Sequence, residues 1–180
     1  MDMRRIRVQV QNGYDVCIGR GLTAGFGGLL RSAVGSCRVA VMTDSNVAPL
    51  YLDALTQSLE QAGYDVCAFV FPAGESSKRM DTLAEILEFL VENRFTREDC
   101  VIALGGGVTG DLTGFAAGCY LRGIRYVQAP TSLLAAVDSS VGGKAAVDLS
   151  AGKNLAGLFY QPSLVVCDTN CFSTLPESEI

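Results

Sequence analysis

The sequence predicts an α/β fold: a Rossmann-like parallel sheet with helices on both faces and an N-terminal β-hairpin. Three observations predict it. The apolar period switches between 2 and 3.6 several times along the 180 residues. The later strand-like runs are apolar throughout, as strands covered on both faces are. Strand and helix patterns alternate, and that order requires parallel strands joined by crossover helices.

The opening residues alternate: Ile6, Val8 and Val10 precede the turn residues Asn12 and Gly13, and Val16 and Ile18 follow them, the pattern of a hairpin. Residues 38–43, 66–71, 101–104 and 125–129 are short apolar runs suited to covered strands, and 164–168 is another. Between them, residues 47–62 carry Leu52, Leu55 and Leu59 at helical spacing, and residues 78–93 carry Leu83, Ile86, Leu87 and Leu90 likewise. A further helix is expected over 112–121. Towards the end, Ser173, Thr174, Pro176, Glu177 and Glu179 supply a cap candidate, a proline and first-turn acids, so a helix is expected to begin there. Residues 1–180 are therefore read as the N-terminal α/β domain of a longer protein.

Composition narrows the function. Fourteen Lys and Arg against nineteen Asp and Glu leave a formal charge of −5, which argues against nucleic acid and against an anionic membrane surface as partners. Histidine is absent, so Ser-His, Cys-His and His-metal arrangements cannot be built from these residues alone, and no metal ligand is assigned among them. Seven cysteines without any C-x-x-C spacing read as buried free thiols of a reducing, cytoplasmic protein. No apolar run approaches the roughly 18 residues of a membrane span, and the first residues lack a signal-peptide core.

The chemistry is signalled in the loops that follow strands. Directly after the third covered run comes Gly105-Gly106-Gly107-Val108-Thr109-Gly110-Asp111, which contains G-x-G-x-x-G and suits close approach of backbone to a pyrophosphate. It differs from the ordinary dinucleotide fingerprint in following a late strand, and the next strand ends in Gln128-Ala129-Pro130 with no acid for a ribose. Tight packing is the competing explanation for such a turn. Only three lysines stand against eleven arginines, and each lies within four residues of a glycine: Lys78 after Gly74, Lys144 after Gly143 and Lys153 after Gly152. That placement points to contact with phosphate or carboxylate groups. Thr131 and Ser132 either bind a ligand or cap the next helix, and Asp44 or Asn46 caps in any case. Asp138 is a structural hydrogen-bonding residue or a site carboxylate, and Arg122 is a helix C-terminal charge or a ligand contact.

Four segments taken together carry a family resemblance. They are G-E-x-x-K at 74–78, ALGGGVTGDLTGFAAGCYLRG at 103–123, PTSLLAAVDSSVGGK at 130–144 and GKNLAGLFYQP at 152–162. In order and spacing the chain resembles the 3-dehydroquinate synthase family. The resemblance implies an NAD-binding N-terminal domain followed by a helical domain that holds a divalent metal, zinc or cobalt, through one Glu and two His beyond Ile180. It also implies a homodimer acting on a phosphorylated sugar acid, 3-deoxy-D-arabino-heptulosonate 7-phosphate, to give 3-dehydroquinate and phosphate. By position in the motifs, Asp44, Asn46, Gly74, Glu75, Lys78, Gly106, Gly107, Val108, Asp111, Thr131 and Ser132 resemble NAD contacts, as do Cys171, Phe172, Ser173 and Thr174. Asp138, Lys144, Lys153 and Asn154 resemble substrate-pocket residues, with Lys144 and Lys153 also near the cofactor, and Arg122 resembles an arginine that reaches the neighbouring subunit's phosphate. Two positions depart from the family pattern: Ser132 stands for a second threonine, and Ala145-Ala146-Val147-Asp148 replaces a segment that usually starts with Thr and ends with Asn. Alternative readings are a related sugar-phosphate cyclase, a metal-dependent polyol dehydrogenase, and a noncatalytic nucleotide-binding module.

Overall fold

The structure, a computed structural model, describes residues 3–176. A hairpin of β1 (Met3–Val8) and β2 (Tyr14–Gly19) leads into α1 (Phe26–Val34), then β3 (Arg38–Asp44), α2 (Ala48–Gln61), β4 (Asp65–Phe71), α3 (Met80–Glu92), β5 (Cys100–Gly105), α4 (Gly107–Cys119) and β6 (Arg125–Pro130). A second hairpin, β7 (Lys144–Leu149) and β8 (Gly152–Phe159), precedes β9 (Leu164–Asp168). Seven strands form one sheet in the order β1-β2-β9-β6-β5-β3-β4, parallel except for the β1–β2 pair. The chain runs outward from β3 to β4 and then returns to place β5 on the other side of β3. A crevice opens at such a reversal, beyond the carboxyl ends of the strands.

Alternation along the central strands makes two cores. On β3, Val39 and Val41 face α1 and α2, where Phe26, Leu30, Leu55 and Leu59 pack, while Ala40 and Met42 face α3 and α4, with Leu83, Ile86, Leu90 and Leu112. All eight of those helix side chains are buried, at ~1.5–3 kcal/mol each. The expected strands and the helices α2 and α3 are thus present, with ends shifted by one or two residues.

Three elements depart from the expectation. The helix expected over 112–121 begins at Gly107, inside the glycine run, and ends at Cys119. Leu121 and Arg122 beyond it have φ of 51° and 66°. Glycine's low helix propensity hides this start, but packing requires the glycines. A Cβ on Gly110 would lie 2.8 Å from the Gln128 carboxamide oxygen, one on Gly114 would lie 3.1 Å from the Ala145 Cβ, and one on Gly118 would lie 2.8 Å from the Leu158 side chain. These residues, four apart, form one bare face of α4 on which β6 and the second hairpin rest. The same reason accounts for the unforeseen α1: a Cβ on its Gly27 would collide with the Ser58 carbonyl of α2 and with Ala62 just beyond that helix. The β7–β8 hairpin was also unforeseen: residues 142–144 and 152–154, read as lysines beside flexible glycine loops, lead into or belong to paired strands. The helix onset expected around residues 173–180 falls partly outside the described residues; residues 169–174 form a 3-10 turn.

Among the described residues no helix is long and apolar enough to cross a membrane. All seven cysteines are free thiols, with burial pushing Cys167 and Cys171 up to about 11. Replacing Gly114 by Val should overpack the α4–hairpin contact and lower stability by about 1–3 kcal/mol in urea denaturation of the full-length protein. An unchanged midpoint would show that the hairpin does not depend on the bare face.

Candidate active site

The carboxyl ends of β3, β5, β6 and β9 all deliver polar residues to one side of the sheet. At the end of β3, the Asp44 carboxylate accepts the amides of Asn46 and Val47 at 2.9 and 3.1 Å and the Thr109 hydroxyl at 3.4 Å. It orders the turn that leads into α2 but does not cap the helix, whose N-terminus receives no side-chain hydrogen bond, so the expected cap from Asp44 or Asn46 is not made; it also ties that turn to the first turn of α4. After β6, the Ser132 hydroxyl accepts the Ala135 amide at 3.3 Å, so it does serve as a cap. The segment after it widens into a π-helical turn over Ala135–Ser139, closed by the Ser140 amide on the Ala135 carbonyl, and Asp138 on it is exposed.

A cleft of about 750 Å³ lies over the start of α4, a size that suits a bound small molecule. Glu75, Lys78, Gly107, Val108, Asp111, Asp138, Lys144 and Asn154 all line it, so eight of the sequence-derived site residues meet in one place. No side chain caps the α4 N-terminus. A Cβ on Gly106 would find only the Ser132 hydroxyl at 3.6 Å, and one on Gly107 only Ser139 atoms at 3.4 Å and beyond. That bare N-terminus, with its positive dipole end and unpaired amides, fits a phosphate group.

The charges of the cleft centre on Lys78. Its ammonium lies 2.5 Å from Asp111 Oδ2 and donates to Asn154 Oδ1 at 2.6 Å, with side-chain exposures of 8% for Lys78 and 17% for Asp111. Burial pushes the Asp111 carboxyl above its ordinary value, outweighing the opposite pull of Lys78; Glu75 adds to the rise and Lys144 opposes it. A carboxyl raised on folding favours the folded state only at acid pH and loses that contribution as pH rises through its folded value. Asp111 therefore weakens the fold at neutral pH, and a carboxyl so raised that also lines the cleft is a candidate functional group. Lys144 is exposed on β7 and carries no ion pair among the described residues, whereas exposed Lys153 pairs with Glu75 at 3.0 Å.

The remaining site residues lie elsewhere. Cys171 lines a separate hollow of about 370 Å³ with Tyr51, Ser58, Asp168 and Asn170, and it shares a narrow gap beside that hollow with Thr131. The Tyr51 hydroxyl donates to the Cys171 carbonyl at 3.0 Å and also meets the Thr174 hydroxyl, fixing the turn that carries Phe172 and Ser173. Gly74 adopts φ 108° at the turn before Glu75, with open space where a Cβ would be. Lys153 and Arg122 line neither hollow; Arg122 is exposed beyond α4. Tyr51 and Asp168 were missed. Tyr51 lies within an ordinary amphipathic helix pattern, but an acid closing the apolar run 164–168 was a usable signal for Asp168.

These motifs decide the family. Residues 68–180 match the model of the 3-dehydroquinate synthase N-terminal family. The chain belongs to that family. It is 53% identical over 169 residues to a 3-dehydroquinate synthase of Rhizobium leguminosarum bv. trifolii, covering 94% of this chain and 45% of the relative. Against one of Latilactobacillus sakei it is 48% identical over 167 residues, covering 93% and 47%. The chain thus spans about half the length of the curated relatives it matches. Among solved structures, it superposes on 2-deoxy-scyllo-inosose synthase complexed with carbaglucose-6-phosphate, NAD+ and Co2+ with a TM-score of 0.90 at 28% identity, over 99% of this chain and 48% of that one. It also superposes on 2-epi-5-epi-valiolone synthase from Streptomyces hygroscopicus with NAD+ and Zn2+ bound, TM-score 0.85 at 30% identity, over 98% and 48%. A glycerol dehydrogenase from Schizosaccharomyces pombe, at 19% identity and TM-score 0.73, shares the fold.

Asp168 offers a direct check on the turn after β9. Burial alone would raise its carboxyl, but the Thr23 amide and hydroxyl and the Asn170 and Gly21 amides, at 2.8–3.1 Å, outweigh that and hold it below the ordinary value. A lowered carboxyl stabilises the fold above its unfolded value of about 3.9 and ceases to do so as pH falls through the folded value. Asp168→Asn should therefore cost about 1–3 kcal/mol at neutral pH, and the gap from wild type should narrow below a pH of about 4. A gap independent of pH would contradict this account.

Proposed function

We propose that the full-length protein is a 3-dehydroquinate synthase, converting 3-deoxy-D-arabino-heptulosonate 7-phosphate to 3-dehydroquinate and phosphate with NAD as a recycled cofactor. The observation that carries this reading is the meeting, in one cleft, of an uncapped helix N-terminus with Lys78, Lys144, Asp138 and Asn154, in a chain about half identical to proteins of that name.

NAD fits the residues present. The amides at Gly107 and Val108 would receive its pyrophosphate, and Lys78 and Asp111, with Glu75 beside them, would bound the cofactor on the hairpin side. Asp44, Asn46, Thr131, Ser132 and the turn of Cys171, Phe172, Ser173 and Thr174 would receive the rest, on the line from the β3 end to the β9 end. Bound there, NAD would accept a hydride from a secondary alcohol and later return it. Lys144 carries no ion pair among the described residues and lines the same cleft as Asp138, so its ammonium would steady negative charge developing on the sugar oxygen. Asn154 would hold a sugar hydroxyl by its carboxamide. A divalent metal, zinc or cobalt, belongs to the same proposal; among the described residues no group of three or more His, Cys, Asp or Glu could hold it. We propose that its ligands belong to the part of the relatives' length that this chain does not span.

The protein would work in the cytoplasm as a homodimer, a reading supported by Arg122, which projects outside both hollows of its own chain and is free to serve a neighbour's phosphate. A second reading, a sugar-phosphate cyclase acting on another substrate, is supported by the TM-score of 0.90 to 2-deoxy-scyllo-inosose synthase.

The test is phosphate release from the heptulosonate phosphate by the purified full-length protein. Release is expected with catalytic NAD and without net NADH. Stoichiometric NADH would sink the synthase reading, and turnover of glucose 6-phosphate alone would favour the second.

A further inference from the structure

We infer that Asp148 is a positioning residue, shaping the second hairpin so that Asn154 turns its carboxamide onto Lys78. In the β7–β8 ladder Val147 pairs with Ala156 and Leu149 with Gly152, so Asp148 alone stands opposite three residues, Lys153, Asn154 and Leu155. Such a bulge re-aims a side chain. At its centre Asn154 has φ 55°, a left-handed conformation that asparagine tolerates but must be held in. Asp148 holds it: its carboxylate accepts the Asn154 amide at 2.7 Å.

Asp148 is itself anchored to the lysine segment. Its amide donates to the Lys78 carbonyl at 2.8 Å, and it forms an isolated parallel bridge with Arg79. From there the chain of contacts closes, because the Lys78 ammonium donates to Asn154 Oδ1 at 2.6 Å. The ring therefore runs from the Lys78 carbonyl through Asp148 and Asn154 back to the Lys78 ammonium, with Asp111 on the same ammonium. What the ring asks of residue 148 is an acceptor of the right length, not a charge, and the carboxamide oxygen of asparagine supplies one as the carboxylate does. The hairpin also rests on α4 through Ala145 and Leu158, away from the bulge, so loss of the carboxylate should loosen the bulge and leave the fold intact.

The kinetic arm of the test rests on the proposed reaction, and an exchange arm does not. In the full-length protein, Asp148→Ala should lower kcat/KM for phosphate release roughly ten- to a hundredfold, the effect of a misplaced site group, while Asp148→Asn should restore a rate close to wild type. Asn154→Gly keeps the left-handed backbone and removes the carboxamide, so adding Asp148→Ala to it should cost nothing further. Deuterium uptake over residues 152–159 should quicken in Asp148→Ala and not in Asp148→Asn. Additive losses, an Asp148→Asn as slow as Asp148→Ala, or equal uptake in all three proteins would overturn the inference. A wild-type enzyme that released no phosphate would instead sink the proposed reaction, with the uptake comparison still deciding the role of Asp148.

Discussion

The side of α4 that carries Gly110, Gly114 and Gly118 has no side chains, and the arrangement of the cleft follows from that bare surface. The second hairpin can lie on the helix only because Ala145 and Leu158 meet backbone there. Its close seating brings Lys144 and Asn154 over the first turn of the same helix, where the uncapped amides face outward. Small residues thus do two jobs along one helix: at its start they leave room for a ligand, and further along they leave room for the element that closes over the ligand. Side chains on that face would push the hairpin away and open the cleft together.

Charge is distributed to match. Lys78 and Asp111 neutralise one another beneath the hairpin, at a net desolvation cost visible in the raised Asp111 carboxyl. Lys153 and Glu75 neutralise one another at the rim. Lys144 remains as the cation of the cleft that no carboxylate engages among the described residues. In the proposed reaction a phosphorylated, anionic substrate would meet one uncommitted ammonium and one helix N-terminus at this wall, a pairing that suits negative charge moving from a sugar oxygen to a departing phosphate. Exposed Leu134, Leu155 and Phe159 line the same cleft.

Much of this was legible in the residues. The alternating periods gave the sheet, both cores and the opening hairpin because buried strands and amphipathic helices impose those periods whatever lies around them. Lysine scarcity and placement pointed to Lys78, Lys144 and Asn154's neighbour Lys153 before any geometry was known. What stayed hidden depended on contacts between distant segments. The start of α4 and all of α1 are glycine-bearing helices held by packing rather than propensity. The second hairpin has no alternating pattern strong enough to stand out, since its outer face is exposed and its inner face small. The pairing of Lys78 with Asp111 joins residues 33 apart in sequence, and the sequence showed each only as a separate loop residue. Family resemblance supplied the roles that spacing left open.

On the proposed reading, the first turn of α4 receives the dinucleotide's pyrophosphate and the hairpin wall receives the sugar. A crystal structure of the full-length protein with NAD decides this. Pyrophosphate oxygens are expected within hydrogen-bonding distance of the Gly107 and Val108 amides, with the nicotinamide end directed towards Lys144 and Asn154. A dinucleotide lodged wholly in the hollow beside Tyr51, Asp168 and Cys171, with the α4 amides facing only water, would contradict it.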